Sequence, residues 1–417
     1  METRKKVLHL ILIALLLLAH PASAENGMNS PYTRFGFGQL AGMDTGTSKG
    51  MGGTGIGIHN SNQINLLNPA SYAAVDTLTF LLDIGMSIAN TNLREGHTSM
   101  NARNSTFDYI AIQFRLMPRL GFTLGIMPFS NVGYDFSESR PIYEGKDEEQ
   151  ITTTNRYHGF GGLRQVTAGI GYMPLKGLSI GTNISYIYGE IYHYIYNQYT
   201  DTSIDSHTRQ YRADITTYDI DFGIQYHIDR GKNKFTVGAV YRPGHTTDDK
   251  GYIIETISSN DTVSATHMSI PTAYGAGISY TYDKRLTIAA DYRLEQYSTA
   301  NFFGTRGADR QRASIGMEYI PEHITRKIFR RARYRAGLHY ATAHYTVGSG
   351  QGPTEYGASI GIGLPIMNRW NGKSIVNISG QYIHVRPHAP GMITENSLRL
   401  NIGLSFNETW FNKWKVL

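Results

Sequence analysis

The chain has 417 residues, a formal charge of +6, 45 glycines, 29 tyrosines and no cysteine. Without cysteine there is no disulfide framework, no thiolate zinc site and no lipoprotein anchor. The charge is too mild to argue for nucleic acid, and no RNA- or DNA-binding motif is present, whereas the length suits two or three ordinary domains or one large barrel.

The first element is a secretory signal. Arg4-Lys5-Lys6 is a charged head, Val7 to Ala19 an apolar core, and Ala22-Ser23-Ala24 a small-x-small cleavage site. The apolar run is shorter than the ~20 residues a membrane-spanning helix needs. Residues 1–24 are therefore expected to be a signal peptide, and the rest of the chain to be exported. No later segment reaches spanning length as a helix. That leaves a soluble periplasmic, a secreted or an outer-membrane protein.

Residues 25–76 do not read as strands. Asn29 to Gly38 is aromatic and glycine-rich without alternation. Within Lys49 to Gly57, Gly50, Gly52 and Gly55 formally satisfy a G-x-G-x-x-G pattern. A dinucleotide site needs a strand before it, a helix after it and an acidic residue beyond. That context is missing, so the glycines are expected to let a compact segment turn and pack in a confined space. Asn68-Pro69-Ala70 closes the segment.

From Thr77 onward the period is two. Leu78, Phe80, Leu82, Ile84, Met86 and Ile88 share one face, and the same alternation recurs in thirteen more segments, ending with Leu398 to Phe406. An even count suits a closed bacterial barrel, with apolar residues toward lipid and polar or small residues toward the lumen. Loop lengths alternate too. Connections after odd strands are long and polar, as in Ser137–Asn155, Pro243–His267, Gln296–Arg312 and Arg386–Asn396. Those after even strands are mostly short, as in Met117-Pro118-Arg119 and Asp283-Lys284-Arg285. Pro321 to Arg333 is an exception, whose run Arg326 to Arg331 reads as a solvated turn or a short basic helix. Long outer loops and short periplasmic turns are the barrel pattern. The tyrosines near strand ends suit aromatic girdles.

An exported chain with a glycine-rich N-terminal segment, then Asn68-Pro69-Ala70, then a barrel resembles the FadL/TodX family of outer-membrane transporters for fatty acids and other hydrophobic compounds. The resemblance implies an all-β fold: a 14-stranded antiparallel transmembrane barrel over residues 77–417, plugged by an N-terminal hatch over residues 25–76. It implies a monomeric barrel in a Gram-negative outer membrane, lipid around it, a hydrophobic small-molecule cargo and no cofactor. Asn68, Pro69 and Ala70 would belong to the moving hatch. In the family a kink in the third strand opens the wall sideways. Met127-Pro128-Phe129-Ser130-Asn131-Val132-Gly133 puts proline and glycine inside the third strand here, where proline cannot donate to the ladder. Pro128, Ser130, Asn131 and Gly133 are thus the candidate lateral opening, or Pro128 lies at the rim where pairing ends. The outer loops are shorter and more polar than the family's, which disfavours fatty acid itself as cargo.

Parity places Asp83, Arg115, Asp219, Asp221, Asp291, Arg293, Glu318, Arg335 and Arg399 in the lumen, where charges must be paired or wetted. They are expected to hold the plug. The inward apolar candidates for cargo contact are Leu81, Met127, Ile187, Val240 and Ile383. No catalytic constellation is legible: His193, His227, His339 and His384 sit on separate strands, and a barrel hydrolase would need a serine beside one of them. Glu144 to Glu149 suits a solvated loop better than a cation site. The leading expectation is passive import of a hydrophobic molecule with lateral release. The alternative is a non-transporting barrel subunit of a secretion or outer-membrane assembly complex, suggested by the polar loops and the sparse apolar lumen.

Overall fold

The computed structural model of the protein describes residues 29–409, apart from 143–150, 202, 258–259, 324, 326, 349, 367–372 and 390. The signal peptide and the acidic run Glu144–Glu149 lie outside the described residues.

Fourteen antiparallel strands close into one ring. They are β1 (Thr79–Glu95), β2 (Thr98–Met117), β3 (Leu120–Pro128, resuming as Ser130–Pro141), β4 (Thr152–Leu175), β5 (Leu178–Tyr199), β6 (His207–Arg230) and β7 (Asn233–Arg242, resuming as His245–Ile257). There follow β8 (Asn260–Ile270, resuming as Ala273–Tyr282), β9 (Leu286–Glu295), β10 (Arg310–Tyr319), β11 (Arg333–Thr342), β12 (Thr354–Pro365), β13 (Ile375–Arg386) and β14 (Thr394–Thr409). Each strand pairs with its neighbours in sequence. The seam is β1 against β14, in unbroken register from Thr79↔Thr409 to Arg94↔Thr394. Closure is what permits strands to stand in lipid, because every backbone donor and acceptor there must be met within the protein.

Alternation sets the two faces. Outward positions such as Ile278 (59% exposed) and Ile360 (72% exposed) form an apolar band, while inward neighbours such as Ser279 and Ser359 are buried. This band is the lipid-contact surface of an outer-membrane barrel.

One expectation about connections is corrected, and one open alternative is decided. Pro243–His267 is largely strand: His245–Ile257 and Asn260–Ile270 form a hairpin that continues β7 and β8 outward and pairs with the outer end of β6. Above the lipid neither face needs to be apolar, so the period-two signal vanishes although the ladder continues. In the connection before β11, Ile328–Arg331 forms one exposed helical turn.

The third strand is broken where the sequence places a proline. Leu120–Pro128 pairs with both β2 and β4, but pairing with β2 stops at Ile110↔Ile126. Phe129 interrupts the strand but still donates to the Leu163 carbonyl of β4, and Ser130–Pro141 pairs with β4 alone among the barrel strands. The neighbouring wall bends at the same level. Gly161 and Gly162 in β4 have φ of +109° and +140°, a region closed to other residues.

A charge on the lipid face tests the orientation. Ile278→Arg is expected to destabilise the barrel by about 2–4 kcal/mol if it lies near the bilayer midplane. Equilibrium folding into lipid vesicles checks it. An effect under about 0.5 kcal/mol would place Ile278 outside the hydrocarbon.

Candidate functional site

The interior is occupied by the chain's own N-terminal segment. It begins at the outer end, where Ser30 Oγ donates to Glu395 Oε1 (2.5 Å) and Tyr32 Oη to the Ile393 carbonyl (2.5 Å). A single turn, Pro31–Arg34, follows, and Gln39–Leu40 then pairs antiparallel with Asn131 and Ser130 of β3. Further bonds hold that half of β3 inward. Ser30 N donates to the Gly133 carbonyl, Gly133 N donates to Thr33 Oγ1, and Ala41 N donates to the Phe129 carbonyl.

Deeper in, the helical turn Gly46–Lys49 donates from Gly46 N to Tyr109 Oη (2.6 Å), and Lys49 pairs with Asp108 of β2 at 2.6 Å. Burial pushes the Lys49 ammonium below its usual range, and the Asp108 carboxylate opposes that. The glycine run needs its glycines. Gly52 has φ +70°, and a Cβ there would lie 2.7 Å from the Leu338 carbonyl oxygen. The G-x-G-x-x-G match is therefore a packing feature. Asp291 accepts from Gly55 N (2.6 Å) and Ile56 N (2.8 Å), anchoring the next stretch to β9.

Asn68, Pro69 and Ala70 come together at the opposite end of the lumen. Asn68 is fully buried and caps the turn Pro69–Ala74: its Oδ1 accepts from Ala70 N at 3.0 Å. Its Nδ2 donates to the Ile56 carbonyl at 2.9 Å. Gly181 and Gly223 of the wall face Pro69 and Asn68 so closely that a Cβ at either would overlap them. The motif joins two levels of the segment to the barrel wall, a role that a three-residue string does not reveal by itself.

Most of the inward charges have partners, though neither Asp221 nor Arg399 has an ion pair among the described residues, and Arg399 lines a cavity. Glu318 holds Arg335 (2.7 Å) and Arg333 (3.2 Å), and Arg335 also donates to Asn377 Oδ1 (2.7 Å). Glu295 gathers Arg310 (3.1 Å), Arg293 (3.2 Å) and Arg242 (3.8 Å), and Arg242 also faces Asp219 at 3.5 Å. Asp83 accepts from Tyr109 Oη (2.8 Å) and Ser405 Oγ (3.0 Å). Arg312 faces Asp44 at 3.8 Å. Arg115 lies apart, donating to Thr77 Oγ1. Sequence reasoning missed Glu295 and Glu355, although both share parity with inward neighbours. It could not see Asp44 and Lys49 as partners, because parity does not extend to an irregular segment.

The five apolar candidates do not converge. Leu81 and Met127 pack with Ile64, Leu66, Tyr72 and Tyr109 in one cluster at the segment. Ile187 lies in a second cluster with Phe37, Phe129, Leu163, Met268 and Phe303. Val240 lines a small cavity near Leu66 and Arg242. Ile383 lines a cavity of about 220 Å³, whose walls also carry Lys49, Asp108, Arg312, His339, Glu355 and Arg399. Pro128 and Asn131 border that cavity from β3, and Asn104, Thr106 and Asp108 from β2. Ser130 and Gly133 are engaged by the N-terminal segment.

The histidines serve packing. His193 Nδ1 meets Tyr134 Oη at 2.8 Å, His339 Nε2 meets Glu355 Oε1 at 2.9 Å, and His384 meets Asn396. His227 stacks on His59 at 4.5 Å. Among the described residues no serine hydroxyl bonds a histidine, and no three His, Asp or Glu side chains form a cation cage.

Removing one carboxylate tests the pairing. Glu295→Gln leaves three guanidinium groups around a neutral amide. It is expected to cost about 3–5 kcal/mol, the scale for breaking a buried pair from one side. Asn68→Ala is expected to cost about 1–3 kcal/mol, from a lost cap and an unmet buried carbonyl. Denaturant titration in detergent reads the first, and limited proteolysis of residues 29–76 the second.

Solved structures share this architecture. The monoaromatic hydrocarbon channel CymD superposes with a TM-score of 0.58 at 14% identity, over 91% of this chain and all of its own. A Pseudomonas aeruginosa FadL homologue gives 0.61 at 12% identity, over 89% and 99%. The Ralstonia pickettii toluene transporter TbuX gives 0.54 at 13% identity, over 88% and 98%. At these identities the likeness establishes the fold. Among curated proteins none matches this sequence. The BamG family model matches residues 5–416, nearly the whole chain. The chain therefore belongs to the BamG family and is an outer-membrane barrel with the FadL/TodX-type fold.

Proposed function

We propose that this protein is a plugged, non-transporting barrel subunit of a secretion or outer-membrane assembly complex. The observation that carries this reading is the clamped lumen. Residues 29–76 act as a hatch that is bonded to inward groups around the ring, including Asp108, Asp291, Ser359 and Gln381. Most of the remaining inward charges pair with one another. To move such a plug, several charge-assisted bonds would have to break together, each worth roughly 1.5–3 kcal/mol net. The cavity that remains is small and charged, whereas a site for hydrophobic cargo is mostly apolar with a few polar groups. A barrel filled in this way offers its rims, outer hairpins and wall as contact surfaces.

Extraction of the native protein in mild detergent, with mass measurement of the intact particle, tests this reading. The expected outcome is a particle of fixed stoichiometry that contains other outer-membrane proteins. A monomer carrying an elongated apolar molecule would overturn it.

A second reading is favoured by the wall. The β2–β3 separation falls at Pro128–Gly133, and the fold neighbours are hydrocarbon channels and transporters. Under it, a small hydrophobic molecule would contact Leu81, Met127, Ile187, Val240 and Ile383 in turn. The hatch would shift about Asn68–Ala70, and cargo would leave beside Pro128, Ser130, Asn131 and Gly133. Saturable entry of toluene into vesicles holding the purified barrel, abolished by a disulfide between Gln39→Cys and Asn131→Cys, is the outcome this reading expects. Entry at the rate of empty vesicles would eliminate it.

A further inference from the structure

The bend in β3 leaves a second consequence on β2. From Thr98 to Asp108 that strand pairs with β1 on one side only. No other described residue gives a backbone partner on its free side. Eleven residues of extended chain make an open edge roughly 36 Å long. The hairpin register fixes which groups face outward along it. Glu95↔Thr98 closes a two-residue turn with Gly96 at φ +55°. Hydrogen-bonded pairs then alternate, so the N–H and C=O groups of Ser99, Asn101, Arg103 and Ser105 point away from β1.

The edge starts within the lipid band. Met86 and Ile88, opposite Phe107 and Ser105, are exposed apolar residues of the outer wall. At that depth lipid cannot meet the peptide groups of Ser105 and Phe107, whereas further out, where Asn90, Asn92 and Arg94 face Arg103, Asn101 and Ser99, the edge stands in water. The edge is blunted only by Arg103 and by a bulge at its lower end. Proteins protect open edges with proline, lysine, bulges or short length. Thr98–Phe107 has no proline and no lysine, and the one irregularity is at its lower end, beside Asp108. The strand that would otherwise cover it, the outer half of β3, is held inward by Ser30, Thr33, Gln39, Leu40 and Ala41.

We propose that Thr98–Asp108 is a docking edge that takes up a β-strand of a partner protein in the outer membrane. A strand alone supplies donors and acceptors at the ladder's repeat, in the manner of β-strand addition. Arg103 is exposed and has no ion pair among the described residues, so the incoming strand carries an acidic side chain opposite it. Docking closes the wall, so the lateral route of the second reading and this contact exclude each other. The inference rests on the assembly reading, because it requires a partner.

Proline placement tests it in the native complex. Asn101→Pro and Arg103→Pro remove donors facing the free side and leave the β1–β2 ladder bonds in place, whereas Ala102→Pro removes a ladder bond. The first two variants are expected to fold, shown by retained heat-modifiable gel mobility, and to lose the partner at least tenfold in the intact-mass measurement. In parallel, a photo-cross-linker at Ser105 is expected to reach the same partner that the proline variants lose. A complex unchanged by both proline variants overturns the docking edge while leaving the assembly reading standing. Cross-links solely to lipid, to a second copy of this chain or to β3 itself overturn the assigned occupant. A protein extracted alone removes the assembly reading and the inference with it.

Discussion

Everything in this molecule depends on one requirement: backbone groups at membrane depth must find partners inside the protein. The β1–β14 seam meets it without a gap over the whole of β1. Period-two apolar patterning follows from the same requirement, since a closed ring presents one face to lipid and the other to the lumen. Against that background the outer half of β2 stands out, because there the requirement is not met by a barrel neighbour.

The interior obeys a related constraint. A ring of fourteen strands encloses more space than its own side chains fill. The N-terminal segment occupies it with glycine-rich backbone rather than bulk. That is why wall glycines such as Gly181 and Gly223 meet Pro69 and Asn68 at van der Waals range. Burying backbone against backbone leaves peptide groups to be satisfied, and the lumen carboxylates and amides do so: Asp291 for Gly55 and Ile56, and Gln381 for the Lys49 carbonyl.

The same residues bear on function. Hydrophobic cargo asks for an apolar path, yet Leu81, Met127 and Ile187 are spent on packing the segment or on the aromatic cluster around Phe37 and Phe129, and Val240 and Ile383 line separate cavities. The chain shares its fold with hydrocarbon channels, and a shared fold does not by itself fix function. The kink of β3 is common ground for both functional readings. As a portal it would serve release, and as an exposed edge it would serve docking.

The sequence by itself determined the barrel, its strand count and the face of the residues in its alternating stretches, because these follow from alternation, and it marked Pro128 as a place where pairing is interrupted or ends, because proline lacks a donor. It also singled out Asn68-Pro69-Ala70 and the inward carboxylates Asp83, Asp291 and Glu318. Only the tertiary structure decided what these groups touch. Lys49 meets Asp108, and Glu295 gathers three arginines, through closure of a ring that brings distant strands together. The outer extensions of β7 and β8 were also hidden, since strands in water on both faces carry no apolar period. The free edge of β2 is the clearest case. It exists because β3 is pulled inward by an irregular segment about ninety residues earlier in the chain, and no local pattern in β2 records that.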